Sequence, residues 1–170
     1  DRTELVNAIY TLIDLNATEA IPAITKLLED KEPLVRELAV YALGQLGGNQ
    51  AIPQITALLQ DNQPDVRTMS VDALGKLGAK QAIPEITKLL QDNDSWVRKS
   101  AVVALWELGA KETIPDIIKL LQDNNPDVRR LAVFVLGKLG AKEAIPDITG
   151  VLNDPAVRRG MLVRKTAGRQ

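Results

Sequence analysis

Chemistry in this chain falls to Asp, Glu, Lys, Arg, Tyr and very few Ser, because Cys and His are absent. Without thiolate or imidazole there is no Cys/His metal site, no disulfide, no CxxC redox pair and no Ser-His or Cys-His nucleophile system. Paired carboxylates remain able to run general acid and base catalysis, but that chemistry needs a closed pocket that shifts one of the two pKa values. The acids recur instead at positions expected in solvent-facing turns, and no such pair stands out. Nor is there a Gly-rich phosphate loop, since each Gly-x-x-Gly closes a helical pattern instead of opening one after a strand. The residues read as those of a non-enzyme, with no catalytic, metal-binding or cofactor-binding side chains and no cofactor.

The bulk properties narrow this further. With 170 residues, 45% hydrophobic and 25% charged, the chain has enough apolar material for one domain. The 21 Lys and Arg against 22 Asp and Glu leave a formal charge of -1, which sets up no overall field for nucleic acid or an anionic membrane. No apolar run approaches the roughly 18 to 20 residues that span a bilayer, and no charged-then-apolar leader opens the chain. A soluble, cytoplasmic protein is the expectation.

The positioning elements come from a repeat. Ile-Pro recurs with Pro22, Pro53, Pro84, Pro115 and Pro146, a step of 31 residues each time. The same register carries Val35-Arg36, Val66-Arg67, Val97-Arg98 and Val128-Arg129, and a closing Gly47, Gly78, Gly109 and Gly140. Each unit reads as two helices. The first opens at Ile-Pro, where Pro is tolerated in the opening turn, and continues through Ile86, Leu89 and Leu90. The second starts at a capping sequence such as Asn125-Pro126-Asp127, runs Val128, Leu131, Ala132, Val135, Leu136, Leu139, and stops at a Gly able to take the left-handed conformation. Neither helix can bury its apolar stripe alone, so the pairs must stack into an open all-α superhelix.

The pattern divides the chain into an unpaired half-repeat helix at 1–16, repeats at 17–47, 48–78, 79–109 and 110–140, a degenerate fifth unit at 141–160, and a basic tail at 161–170, all as one continuous solenoid domain. In the opening half-repeat Leu12 falls under Leu43, Leu15 under Leu46 and Asn16 under Gly47, Asn being the usual substitute for Gly there. At the other end Arg164 and Lys165 occupy the columns of Val135 and Leu136. Neither end looks like a polar solenoid cap, so the chain is expected to come from a longer array or to pair through its ends with another copy. Arg158, Arg159, Arg164, Lys165 and Arg169 stand without an acid in the last fifteen residues and read as a frayed basic tail, with anion binding as the alternative.

The pattern Ala-Ile-Pro-x-Ile-Thr-x-Leu-Leu-x-Asp, then Pro-Asp-Val-Arg, then Ala-Leu-Gly-Lys-Leu-Gly resembles the short HEAT-like repeats of the phycobilisome lyase type, over about residues 3 to 159. The resemblance implies a right-handed α-α superhelix, an armadillo-like α-solenoid of stacked two-helix repeats. It also implies a structural ladder between neighbouring units, pairing Asp30 with Arg36, Asp61 with Arg67, Asp92 with Arg98, Asp123 with Arg129, and a shortened Asp154 with Arg158. An Arg stripe that binds phosphates or carboxylates is the functional alternative, disfavoured because each Arg comes with an Asp able to neutralise and orient it. For function the resemblance is broad, covering adaptors, bilin lyase subunits and engineered repeat binders.

Three columns of the second helix are left unconstrained by the repeat: Glu37, Thr68, Lys99 and Arg130; Tyr41, Asp72, Val103 and Phe134; and Gln45, Lys76, Glu107 and Lys138. At about 100° per residue, positions 37, 41, 44 and 45 share one arc opposite the apolar stripe, and in HEAT-like arrays that arc lines the concave side. Four of the five aromatics fall on it: Tyr10 one period before Tyr41, Phe134 in the same column, and Trp106 where other units have Gly44, Gly75 and Gly137. Trp96 stands apart, at a surface edge where other units have Asp65 and Asp127.

Aromatic rings on an exposed face, beside a core of Leu, Ile, Val and Ala, point to a non-catalytic interaction scaffold that binds protein partners. Its expected contact residues are Tyr10, Glu37, Tyr41, Asp72, Lys76, Lys99, Val103, Trp106, Arg130, Phe134 and Lys138. The bland reading is that the rings only pack against adjacent helices. Lys76, Lys99, Arg130 and Lys138 against Glu37, Asp72 and Glu107 are too balanced to track a nucleic acid duplex. A row of Lys80, Lys111 and Lys142 on one loop edge reads as solubility and helix-end electrostatics, with an acidic partner as the alternative. Two further readings stay open: a subunit or fragment of a bilin lyase-like protein, and an engineered repeat binder, against which Trp106, Ser95 and the shortened fifth unit argue.

Overall fold

The computed structural model describes residues 2–153. Ten α-helices and no strand occur among them, the all-α solenoid arrangement of helix pairs that the repeat predicts. The long helices are α1 (Arg2–Asp14), α3 (Pro33–Leu46), α5 (Pro64–Lys76), α7 (Ser95–Glu107) and α9 (Pro126–Leu139). Alternating with them are the short helices α2 (Ile21–Lys26), α4 (Ile52–Ala57), α6 (Ile83–Lys88), α8 (Ile114–Lys119) and α10 (Ile145–Leu152).

Each short helix opens on Ile-Pro, with Pro in the first turn, where its missing N–H removes no helical hydrogen bond. The spacing of Ile86, Leu89 and Leu90 predicts one helix through all three. Instead the turns Leu27–Glu29, Leu58–Gln60, Leu89–Gln91 and Leu120–Gln122 tighten to 3-10 geometry. The cause is the next residue. Asp30, Asp61, Asp92 and Asp123 leave the helical region for extended backbone, and their N–H groups bond back only three residues, to Leu27, Leu58, Leu89 and Leu120.

The expected capping side chain is present in α7 and α9 but not in α3 and α5, which start after Glu32 and Gln63 with no side-chain cap. Asn125 caps α9 by accepting from the N–H groups of Asp127 and Val128 at 2.8 and 3.4 Å, and Asp94 caps α7 in the same way. Gly47 and Gly140 end α3 and α9 at φ of 71° and 70°, and Asn16, after α1, is the one non-Gly residue among those described with positive φ.

Contacts divide the chain into two compact units, residues 1–110 and 111–170. In the first, α1, α3, α5 and α7 pack each against the next, while α2, α4 and α6 cover α3, α5 and α7. Leu43, Ile55, Leu59, Leu74, Ile86, Leu90 and Leu105 form its fully buried centre. In the second unit α8 packs on α9, around Ile117, Leu121 and Leu136. Burying each such side chain contributes on the order of 1.5–3 kcal/mol. No aromatic side chain is buried among the described residues. Residues 154–170, which include Asp154, Arg158 and the basic tail, lie outside the described residues.

Candidate interaction face

The Arg-Asp ladder holds the helix pairs in register, but with partners other than those the resemblance implies. Arg36 sends Nε and Nη2 to the two carboxylate oxygens of Asp61, at 2.7 and 2.9 Å, and Arg67 does the same to Asp92 at 2.8 and 2.8 Å. The acceptor is therefore the Asp of the following unit. Within its own unit each Arg instead donates Nη1 to the Asp backbone carbonyl: Arg36 to Asp30, Arg67 to Asp61, Arg98 to Asp92 and Arg129 to Asp123, at 2.7 to 2.8 Å. Backbone geometry sets this choice of partner. The carboxylate of each Asp already turns forward to accept the N–H two residues on, as Asp61 does from Gln63 at 2.9 Å, which leaves its carbonyl facing the Arg of its own unit.

These rungs are only slightly exposed. For Asp61 and Asp92, burial pushes the carboxyl up, but the Arg fork and the backbone N–H outweigh it and hold both below the usual carboxylate range. Hydrogen bonding to the carboxylates raises Arg36 and Arg67 further above their already high values. With three nitrogens committed, neither guanidinium keeps a fork for an outside anion, which removes these two from the anion-stripe reading.

On the remaining face of the first unit, two close approaches set the geometry. A Cβ on Gly44 would stand 3.1 Å from that of Ala73, and one on Gly75 would stand 3.2 Å from that of Ala104. Glycine at these two positions is what lets α3 meet α5, and α5 meet α7, so closely. The side chains in the unconstrained columns flank those seams. Tyr41 is half-buried and its ring meets that of Tyr10 at 6.0 Å in a tilted arrangement, so this pair does pack across the α1–α3 seam while Tyr10 stays largely exposed. Glu37 is half-buried, and burial first, then the charge of Asp65, pushes its carboxyl up.

Lys76 reaches back to the amide oxygen of Gln45. Asp72 is exposed as a residue, yet crowding around its carboxyl pushes it up; Glu107 adds to this, while a hydrogen bond with Ser100 opposes it. The Glu107 carboxylate lies over Gly75, 2.9 Å from where a Cβ would be. Asp72, Ser100 and Glu107 thus share the α5–α7 seam. Val103 and Trp106 are half-buried on α7. In the second unit Arg130, Phe134 and Lys138 are all exposed on α9, with Arg130 paired to Asp127 at 2.5 Å and the Lys138 ammonium 5.3 Å from the Phe134 ring centre.

Sequence reasoning missed two contributors. Lys99 places its ammonium 3.2 Å from the centre of the Trp96 ring, which joins the apparently isolated, exposed Trp96 to the face; the signal was the i, i+3 spacing on one helix. Ser100 stands where Leu38 and Leu131 occur in other units, and that polar departure in an apolar column marked it as a partner for Asp72. Among the described residues, no group of three or more acidic side chains is placed to hold a metal ion, and no helix is long and apolar enough to cross a membrane.

Comparison with known proteins agrees with this architecture. A family model described as HEAT repeats matches residues 2–69, 52–124 and 94–167. Among solved structures, the complex of CpcE and CpcF of phycocyanin lyase from Nostoc sp. PCC7120 superposes with a TM-score of 0.70 at 24% identity, covering 91% of this chain and 67% of that one. Escherichia coli YibA gives 0.72 at 21% identity, over 93% and 67% of the two chains. A designed armadillo repeat protein in complex with the peptide (KR)4 gives 0.61 at 23% identity, over 94% and 90%. At these identities the likeness is one of fold. No curated protein matches the sequence.

Proposed function

This chain belongs to the HEAT-repeat family, and on that premise we propose that it is a non-catalytic scaffold that binds a partner protein through the unconstrained columns of its second helices, in each of its two units. The observation that carries the reading is a division of labour among columns. Side chains that recur in every unit are consumed by the core, the caps and the ladder, whereas Glu37, Tyr41, Asp72, Lys76, Lys99, Val103, Trp106, Arg130, Phe134 and Lys138 differ from unit to unit and keep solvent access.

Half-buried and exposed rings held on rigid helices present contact area at little entropic cost, the property expected of binding hot spots. Tyr10 belongs to the same face, although its contact with Tyr41 gives it a packing role as well. The similar designed repeat protein that holds a peptide supports a protein segment as the class of partner. The mixed charge of the face favours a partner of mixed charge over a nucleic acid duplex.

The test is affinity capture from lysate of the source cells with the wild type and with a triple variant, Tyr41→Ala, Trp106→Ala and Phe134→Ala, whose helix content is checked by circular dichroism. A protein retained by the wild type and lost by the folded variant supports the reading. Identical capture by both would reduce these rings to packing and remove the face as the binding surface.

A further inference from the structure

Arg129, on α9, carries an unfinished rung. Its Nη1 donates to the backbone carbonyls of Asp123 at 2.7 Å and Asn124 at 3.3 Å, the anchorage that Arg36 has on Asp30 and Lys31. Its Nε, however, is shut off from solvent and meets no acceptor; among the described residues it is the one buried side-chain nitrogen or oxygen in that position. A buried donor on a charged group is costly to leave unpaired, so this atom marks the place of an acceptor.

The two complete rungs define the chemistry of that acceptor. In both, Nε donates to a carboxylate oxygen 25 residues further on, Arg36 to Asp61 at 2.7 Å and Arg67 to Asp92 at 2.8 Å. The same step from Arg129 reaches Asp154. The approach of the chain matches too: Asp61, Asp92 and Asp154 each stand nine residues after the Ile that opens the short helix of their unit, Ile52, Ile83 and Ile145. And α10, which leads toward Asp154, packs on the turn Leu120–Gln122, directly before the Asp123 that anchors Arg129.

We propose that Arg129 is a carboxylate-binding site and that its occupant is Asp154 of the same chain, the two forming a further rung of the ladder. This pairing replaces the one the resemblance implies, in which Asp154 meets Arg158. A carboxylate from outside is the other source of the same chemistry, but an Nε closed to solvent favours one delivered by the chain itself. The rung commits Arg129, as the complete rungs commit Arg36 and Arg67, and so withdraws it from the anion-stripe reading. Arg158 is left to the basic run at the end of the chain. The proposal uses different residues from the interaction face and stands or falls independently of it.

An NMR titration of the 170-residue chain tests the pairing from both sides. The side-chain carboxyl carbon of Asp154, assigned by its loss in Asp154→Ala, should titrate at least about one pH unit below the ordinary value of about 3.9. Arg129→Met should return it to that value, whereas Arg158→Met should leave it low. Seen from the other partner, the Arg129 Nε–H resonance should exchange slowly with water in the wild type and faster in Asp154→Ala. That second readout decides the matter even if Arg129→Met loses its helix content. An ordinary titration of Asp154 in the wild type overturns the proposal, and if added acetate then slows exchange of the Arg129 Nε–H, the site passes to a carboxylate from outside. A lowered value that survives Arg129→Met overturns it as well, as does an Arg129 Nε–H that is indifferent to Asp154→Ala.

Discussion

Arg36 spans two units: its Nη1 holds the carbonyl of Asp30 at 2.8 Å, while its Nε and Nη2 grip the carboxylate of Asp61, 25 residues further on. One guanidinium thereby fixes the turn between two helices and the position of the next turn. Arg67 repeats the arrangement with Asp61 and Asp92, so Asp61 serves both as carboxylate acceptor for one Arg and as carbonyl acceptor for the next.

Removing half of such a rung should cost more than removing all of it. Asp61→Ala leaves the Arg36 fork without its carboxylate, with only the charges of Asp30 and Glu32 nearby, and is expected to lower unfolding free energy by about 2–3 kcal/mol. The double change Arg36→Met with Asp61→Leu should cost clearly less, because no unpaired charge remains. Urea denaturation of the single and double variants checks the order; equal losses would mean that the fork contributes little.

The same carboxylates set a pH dependence of known sign. Asp61 and Asp92 have folded-state pKa values below the unfolded value of about 3.9, so their contribution is fully present above that pH and is lost as pH falls through the folded values. Asp72 has the opposite sign. Its raised folded value means that its ionisation costs stability at neutral pH, a cost that disappears as pH falls toward the ordinary carboxylate value. Asp72→Asn should therefore be more stable than wild type at pH 7, with the difference vanishing near pH 4. Thermal denaturation across that range reads it directly.

Three glycines should respond differently to one methyl group. Gly137 has no atom within 4 Å of a Cβ position, and Gly137→Ala should stabilise by about 0.5–1 kcal/mol through helix propensity. At Gly75 the Cβ would crowd Ala104 at 3.2 Å and Glu107 at 2.9 Å; the Glu side chain can swing away but Ala104 cannot, so α5 and α7 must part. Gly75→Ala should lose about 1 kcal/mol or more despite its better propensity. At Gly47 space is free, but φ of 71° is strained for any L side chain, and Gly47→Ala should lose about 1 kcal/mol. Chemical denaturation midpoints rank the three.

A scaffold without bilin chemistry should leave an added open-chain tetrapyrrole spectrally unchanged. The visible absorption of the pigment, titrated with the protein, is expected to stay constant. A shift in the absorption band would favour the lyase-subunit reading over the scaffold.

The helix pairs, their starts at Ile-Pro and Asn125-Pro126, and their stops at Gly140 and Asn16 were legible in the sequence. So was the placing of Tyr10, Tyr41, Trp106 and Phe134 outside the core. These features are set by local rules: capping atoms lie two or three residues from the N–H they bind, a left-handed φ selects Gly or Asn, and a period near 3.6 sorts apolar from polar side chains along one helix. Local rules also have a limit in range. The period places Asp30, Arg36 and Asp61 in columns, but it does not say which Asp carboxylate an Arg reaches across the stack.

Only the tertiary structure decided that. The choice of Asp61 over Asp30 as the carboxylate for Arg36 and the pairing of Asp72 with Ser100 depend on distances between segments. By itself the sequence determined a repeating all-α chain with a face left over from folding. Which residues on that face meet one another was decided by how closely Gly44 and Gly75 let adjacent helices approach, because a few tenths of an ångström across a seam separate a hydrogen bond from a gap.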